Sequence, residues 1–160
     1  MKYVIPFLSI IFFTTACSKI TPAGFWTGFH KNLITISEND QGPWGGHRKI
    51  VWNSGVSFFN VEEIIDYAKK NDWQLTDSIM FSTDTLTKES RIKYKNDDYS
   101  LTIFREMVLS ELHPNDNRAF VFMTTWLAVE PGNTRETFVN GFVVLNSDGT
   151  EMKMYHLWGE

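Results

Sequence analysis

One stretch of this chain carries a clear helical repeat, and it limits every fold the rest can adopt. In FNVEEIIDYAKKNDW, residues 59–73, Val61, Ile64, Ile65 and Ala68 recur at i, i+3, i+4 and i+7. That spacing makes a single apolar stripe, which must be buried against something else. Asn60 is a good N-cap, and Glu63 stands at N3 to complete a capping box. Phe59 and Ile64 occupy the hydrophobic-staple positions. Acidic Glu62, Glu63 and Asp66 lie in the first half and Lys69 and Lys70 at the end, each favoured by the helix dipole. Asn71 is expected to take the left-handed stop. The pattern predicts one main helix over about 61–70.

The remaining segments read as strands. HKNLITISEND (30–40) and HRKIVWN (47–53) are rich in Ile, Val, Thr and Trp, with QGPWGG between them as a hairpin loop of about six residues. In WQLTDSIMFS (73–82), Trp73, Leu75, Ile79 and Phe81 alternate with polar residues, and Asp77 breaks the apolar face. RIKY (91–94) and YSLTIFREMV (99–108) flank a turn at 95–98. RAFVFMTTWLAVE, TFVNGFVVLN and TEMKMYHLW follow as a three-strand meander with Gly-containing turns at PGN and SDG. The predicted class is α+β: a curved antiparallel sheet of about seven or eight strands with the helix packed on it. A strands-only sandwich with a peripheral helix is the alternative. No internal repeat or low-complexity tract interrupts the region from about residue 25 to 160, which is expected to form one domain.

The N-terminus has a different character. In MKYVIPFLSIIFFTTA, Lys2 precedes an apolar run from Tyr3 to Phe13. Eleven residues are too few to cross a bilayer as a helix, which takes about 20, but they suit the apolar region of a signal peptide. Thr14, Thr15 and Ala16 then lead to Cys17, the only cysteine of the chain. TTAC resembles a bacterial lipobox, the motif at which a lipoprotein leader is cut before a lipid-modified cysteine. Ala16 and Cys17 match it; Thr14 stands where the pattern has leucine. The resemblance covers the first seventeen residues and implies a leader over 1–16, an acylated Cys17 (palmitate among the chains), and a tether over 17–24. A lone thiol in an oxidising compartment has no disulfide partner, and acylation accounts for its solitude. Several acyl chains anchor firmly. Ser18 offers no inner-membrane retention cue, so the expected location is the cell envelope, on the outer membrane facing the periplasm. SKITPAG reaches about 25 Å at full extension, which keeps the domain near the membrane surface.

Composition narrows the partners. Hydrophobic residues make up 42%, and the 15% aromatic content argues against disorder. Net charge is −4 with both signs interspersed, so no basic stripe exists for nucleic acid. No nucleophile elbow occurs. SRIK, at 90–93, matches S-x-x-K but reads as loop into strand, where i and i+3 face opposite ways. His30, His47, His113 and His156 have no metal-ligand spacing. No catalytic residue, metal or cofactor is therefore expected.

GPWGGHR (42–48) does not fit a phosphate loop, because it leads into a strand and lacks the Lys and Ser/Thr. Gly45 and Gly46 are expected to supply positive φ in a wide turn, with Pro43 fixing its neighbour. Trp44 either caps the core or, with His47 and Arg48, forms a contact site for a ligand or partner. The other aromatics, from FWTGFH through Trp52, Phe58, Phe59, Trp126 and Trp158, are expected to fill the core. These features predict a membrane-anchored, non-catalytic binding or adaptor module for an envelope protein or a cell-wall ligand. The alternatives are a hydrolase using His47 or His113 with a carboxylate, and a carrier of a small apolar ligand.

Overall fold

The computed structural model describes residues 21–56, 59–80, 107–108, 111–113, 116–129 and 134–159. Cys17, Phe58, the S-x-x-K at 90–93, the turn at 95–98, the expected strand at 91–94 and residues 99–106 of the next lie outside them. Met107 and Val108, the end of that strand segment, form a helical turn instead, with the Glu111 N–H donating to the Val108 carbonyl.

Among the described residues there are six strands and one α-helix: β1 Ile34–Gln41, β2 Gly45–Asn53, α1 Val61–Lys70, β3 Gln74–Met80, β4 Asp116–Val129, β5 Glu136–Asn146 and β6 Glu151–Gly159. The sheet order is β1-β2-β6-β5-β4-β3. All pairs are antiparallel except one parallel bridge, Ala128 to Gly159, where the end of β4 curls over to β6. The class is α+β as expected. Six strands are seen rather than seven or eight, because 107–108 is a turn and the rest of the two additional strands falls outside the described residues.

The helix forms as its sequence requires. Asn60 Oδ1 accepts the N–H of Glu62 at 2.8 Å and of Glu63 at 3.3 Å, satisfying two of the free donors at the first turn. The Glu63 carboxylate turns to His30 Nε2, 3.1 Å away, rather than back to the cap. Asn71 stays at φ −112°, and Asp72 takes the left-handed stop at φ 63°. The stripe buries Ile64 and Ala68 beside Phe59, the staple residue.

Two clusters fill the two faces of the sheet. On the helix side lie Ile50 and Trp52 of β2, Met152 and Met154 of β6, Val143 and Leu145 of β5, and Phe120 and Phe122 of β4. Above them sit Trp26, Phe29 and Trp73 with the helix. Trp26 meets Trp52, Trp73 and Phe29 edge-on, with ring centroids 5.6–6.1 Å apart. On the other face, Val121, Phe142, Val144 and Tyr155 pack against Val108, with Met107 and Leu112 beside them. The aromatics expected in the core are largely there.

β3 shows why simple alternation failed. A bulge between Leu75 and Asp77 reverses the phase. Trp73 therefore joins the helix-side cluster, Ile79 joins the opposite one, and Leu75 is exposed.

Gly141 makes room for Trp73. A Cβ there would stand 2.5 and 2.8 Å from two indole carbons and 2.9 Å from Thr124 Cγ2. Gly141→Ala is expected to lower the free energy of unfolding by about 1–3 kcal/mol, read from urea denaturation. An unchanged midpoint would show that Trp73 is free to shift.

Candidate functional site

The hairpin that carries GPWGGHR is tighter than the sequence suggested. Gly42, Pro43 and Trp44 alone separate β1 from β2, and the Gly42 N–H donates to the Gly45 carbonyl at 2.7 Å. Asp40 faces His47 and Asn39 faces Arg48 across the ladder. Gly45 and Gly46 do not adopt positive φ. Gly46 is required for a different reason: a Cβ would collide with the Asp40 carbonyl and approach the Trp158 ring to 2.8 Å.

Trp44, His47 and Arg48 do not form one patch. Trp44 projects from the tip, 78% exposed, while Gly45 beneath it pairs with Gly159 at the end of β6. His47 is half-buried, with Nδ1 4.0 Å from Asp40 Oδ2, on the face opposite to Arg48. Arg48 is only 6% exposed. Its guanidinium points toward the helix side, where Nη1 lies close to Gly24, and Nε and Nη2 donate to Asn39 Oδ1 at 3.3 and 3.0 Å. Burial pulls the Arg48 pKa down, yet a guanidinium remains charged at neutral pH. Arg48 is thus part of the interior, and Trp44 is the exposed member of the set.

Behind Arg48 lies a polar cluster that the sequence reading did not assemble. Its cross-strand neighbour on β6 is His156, fully buried. His156 rests between Trp158, stacked at 5.3 Å, and Trp73 at 5.2 Å. Thr124 and Asn140 complete it. The ladder jumps from Phe122–Gly141 to Met123–Val139, so Asn140 is the extra residue of a bulge in β5. Asn140 Nδ2 donates to the Trp126 carbonyl at 2.7 Å, which turns Oδ1 toward Thr124 Oγ1, also 2.7 Å away.

Proton directions follow from these contacts. Oδ1 only accepts, so the Thr124 hydroxyl donates to it. Thr124 Oγ1 in turn accepts the Trp126 N–H at 3.1 Å. Its 3.4 Å contact with His156 is then favourable when Nε2 carries the proton. Nδ1 is left as a buried lone pair without a hydrogen-bond partner. One clue was legible: Met152, Met154, His156 and Trp158 share one phase of the last strand, so this histidine occupies a core position.

Burial first, and the Arg48 charge second, push the His156 pKa down to about 3. A base that weak is poorly matched to proton abstraction at neutral pH, and no carboxylate of the described residues contacts its ring. The cluster satisfies the polar groups of a broken ladder. His30–Glu63 is an exposed pair, and His47–Asp40 joins a half-buried histidine to an exposed carboxylate. Among the described residues, no three His, Cys, Asp or Glu side chains come together for a metal. No protein-family model, curated protein or solved structure matches this chain.

His156 gives the protein a specific acid sensitivity. Its pKa falls from the ordinary 6.5 in the unfolded chain to about 3 when folded. Between those values the unfolded state binds a proton that the native state does not, so stability declines as pH drops from about 6.5 toward 3. Above that window the contribution is fully present. Relative to His156→Gln, which does not titrate, the wild type should lose up to about 1.4 kcal/mol more per pH unit. Urea unfolding between pH 7 and 4 measures this; parallel slopes would show that His156 is not held neutral.

Proposed function

We propose that this protein is a small envelope lipoprotein. Acyl chains on Cys17 hold it on the outer membrane, facing the periplasm, and the domain is a non-catalytic adaptor that docks an envelope protein through the β1–β2 hairpin. The leader and the lipobox-like TTAC support the anchored half of this reading. The observation that carries the docking half is Trp44. The other described tryptophans lie within or against the packed interior, whereas Trp44 stands out from a tip that no core residue covers. Placing an indole in water forgoes about 1.5–3 kcal/mol of burial. A rigid aromatic at a projecting tip is what a partner's pocket accepts as an anchor. The tip is held in place from below by the Gly42–Gly45 hydrogen bond and the Gly45–Gly159 pairing.

Two measurements test the halves separately. Mass spectrometry of the native product should find the chain beginning at an acylated Cys17, and Cys17→Ser should release the domain from the membrane fraction. An intact leader or a free thiol overturns the anchored reading. Trp44→Ala should change stability by less than about 0.5 kcal/mol, as for an ordinary surface site. It should also abolish crosslinking of the hairpin to its partner in intact envelopes. A large loss of stability, or undiminished crosslinking, overturns the docking role of Trp44.

A further inference from the structure

We infer that β1 is a strand-accepting edge: it takes an extended segment of the partner protein into the sheet, and that segment carries basic side chains at alternate positions. This rests on the docking reading above and names the chemistry of the partner.

The hairpin fixes which backbone groups are available. The Gly42 to Gly45 hydrogen bond sets the alternation of the ladder, so Asp40, Glu38 and Ile36 direct their N–H and C=O toward β2. Ser37, Asn39 and Gln41 direct theirs away from it. No described strand pairs with that side. Residues 35–41 are exposed, whereas β2 beside them is buried or half-buried up to Trp52. Six backbone groups in register, on a strand of eight residues, form a template for an added strand.

Charge selects the occupant. Ile36, Glu38 and Asp40 share one face of β1. Lys49, opposite Glu38, is engaged by Glu111, which also accepts a hydrogen bond from the Tyr155 hydroxyl. Asp40 has only the 4.0 Å contact with His47. Two carboxylates at i and i+2 therefore face any added strand with little compensation. Charge disfavours a second copy of this chain in the registers that oppose these carboxylates. Antiparallel pairing of Ser37 with Asn39 sets Glu38 opposite Glu38, and pairing Asn39 with Asn39 sets Glu38 opposite Asp40. Like charges directly opposite destabilise a pair, and opposite charges stabilise it by about 0.2–1 kcal/mol each. A strand with Lys or Arg two residues apart fits, and it runs toward the exposed Trp44 at the end of the edge.

The test uses synthetic peptides and amide NMR of the folded domain. An eight-residue peptide of alternating threonine and lysine should shift the Ser37, Asn39 and Gln41 amides; one of alternating threonine and glutamate should not. Glu38→Lys with Asp40→Lys should weaken the lysine peptide at least about fivefold. Ser37→Pro removes an outward N–H at an edge position where proline is tolerated, and should abolish binding with the fold intact. Gln41→Pro serves the same purpose if Ser37→Pro does not fold. Absent shifts, equal shifts with both peptides, or shifts spread away from β1 would overturn the inference. So would concentration-dependent shifts of the same amides without peptide, which would identify a second copy as the occupant. A negative result for Cys17 acylation overturns the anchored reading and leaves these outcomes unchanged.

Discussion

Nine consecutive pairs join β2 to β6, from Gly45–Gly159 to Asn53–Glu151, and the rest of the molecule is arranged around that seam. It unites a hairpin from the first third of the chain with the last strand. Side chains alternate along both strands, so this single register decides which of them meet the helix. Ile50, Trp52, Met152 and Met154 are turned to the aromatic cluster with Arg48 and His156, while Lys49 and Tyr155 are turned to the opposite face. A slip of one residue would exchange those sets, exposing the tryptophan layer and burying Lys49. Two glycines protect the register by close fit. Gly46 admits the edge of Trp158, and Gly141, one strand over, admits Trp73. Neither position has room for a methyl group without displacing an indole.

The same seam carries the least expected element of the interior, a guanidinium beside an imidazole. A buried cation is costly unless its donors are satisfied. Arg48 reaches outward for its partner, to Asn39 on the edge strand, since His156 must remain neutral beside it. That choice has a structural consequence for the hairpin. Asn39 presents its backbone outward and its side chain to Arg48, so the exposed edge is fastened to the interior by a charge-assisted bond. The contact ties the outward-facing edge to the buried row of β2.

The elements whose rules are local were legible in the sequence. Asn60 caps its helix because its side chain reaches amides two and three residues on, and Phe59 and Ile64, both at that helix end, are buried in one cluster. The SDG turn forms because the Asp148 carboxylate accepts both the backbone N–H and the hydroxyl of Thr150, contacts that also hold its pKa down. The strands of the meander follow from runs rich in Val, Phe and Met bounded by the PGN and SDG turns. What escaped were places where one residue is added to a ladder. The bulge at Leu75–Asp77 sends Ile79 to the far face, and the one at Asn140 draws Thr124, Trp126 and His156 into a hydrogen-bonded group. Each depends on the partner strand's register, which no short window contains.

From sequence alone come the α+β class, the main helix with its cap, the hairpin around Trp44 and the aromatic filling of the core, because propensity, capping and period are properties of neighbouring residues. The division of GPWGGHR between outside and inside was decided only by the tertiary structure. Trp44 and Arg48 are four residues apart and equally able, by type, to meet a partner. Pairing with β6 put Arg48 in phase with the buried row and left Trp44 beyond the last pair, because burial is settled by which strand lies alongside and not by the residue's own chemistry.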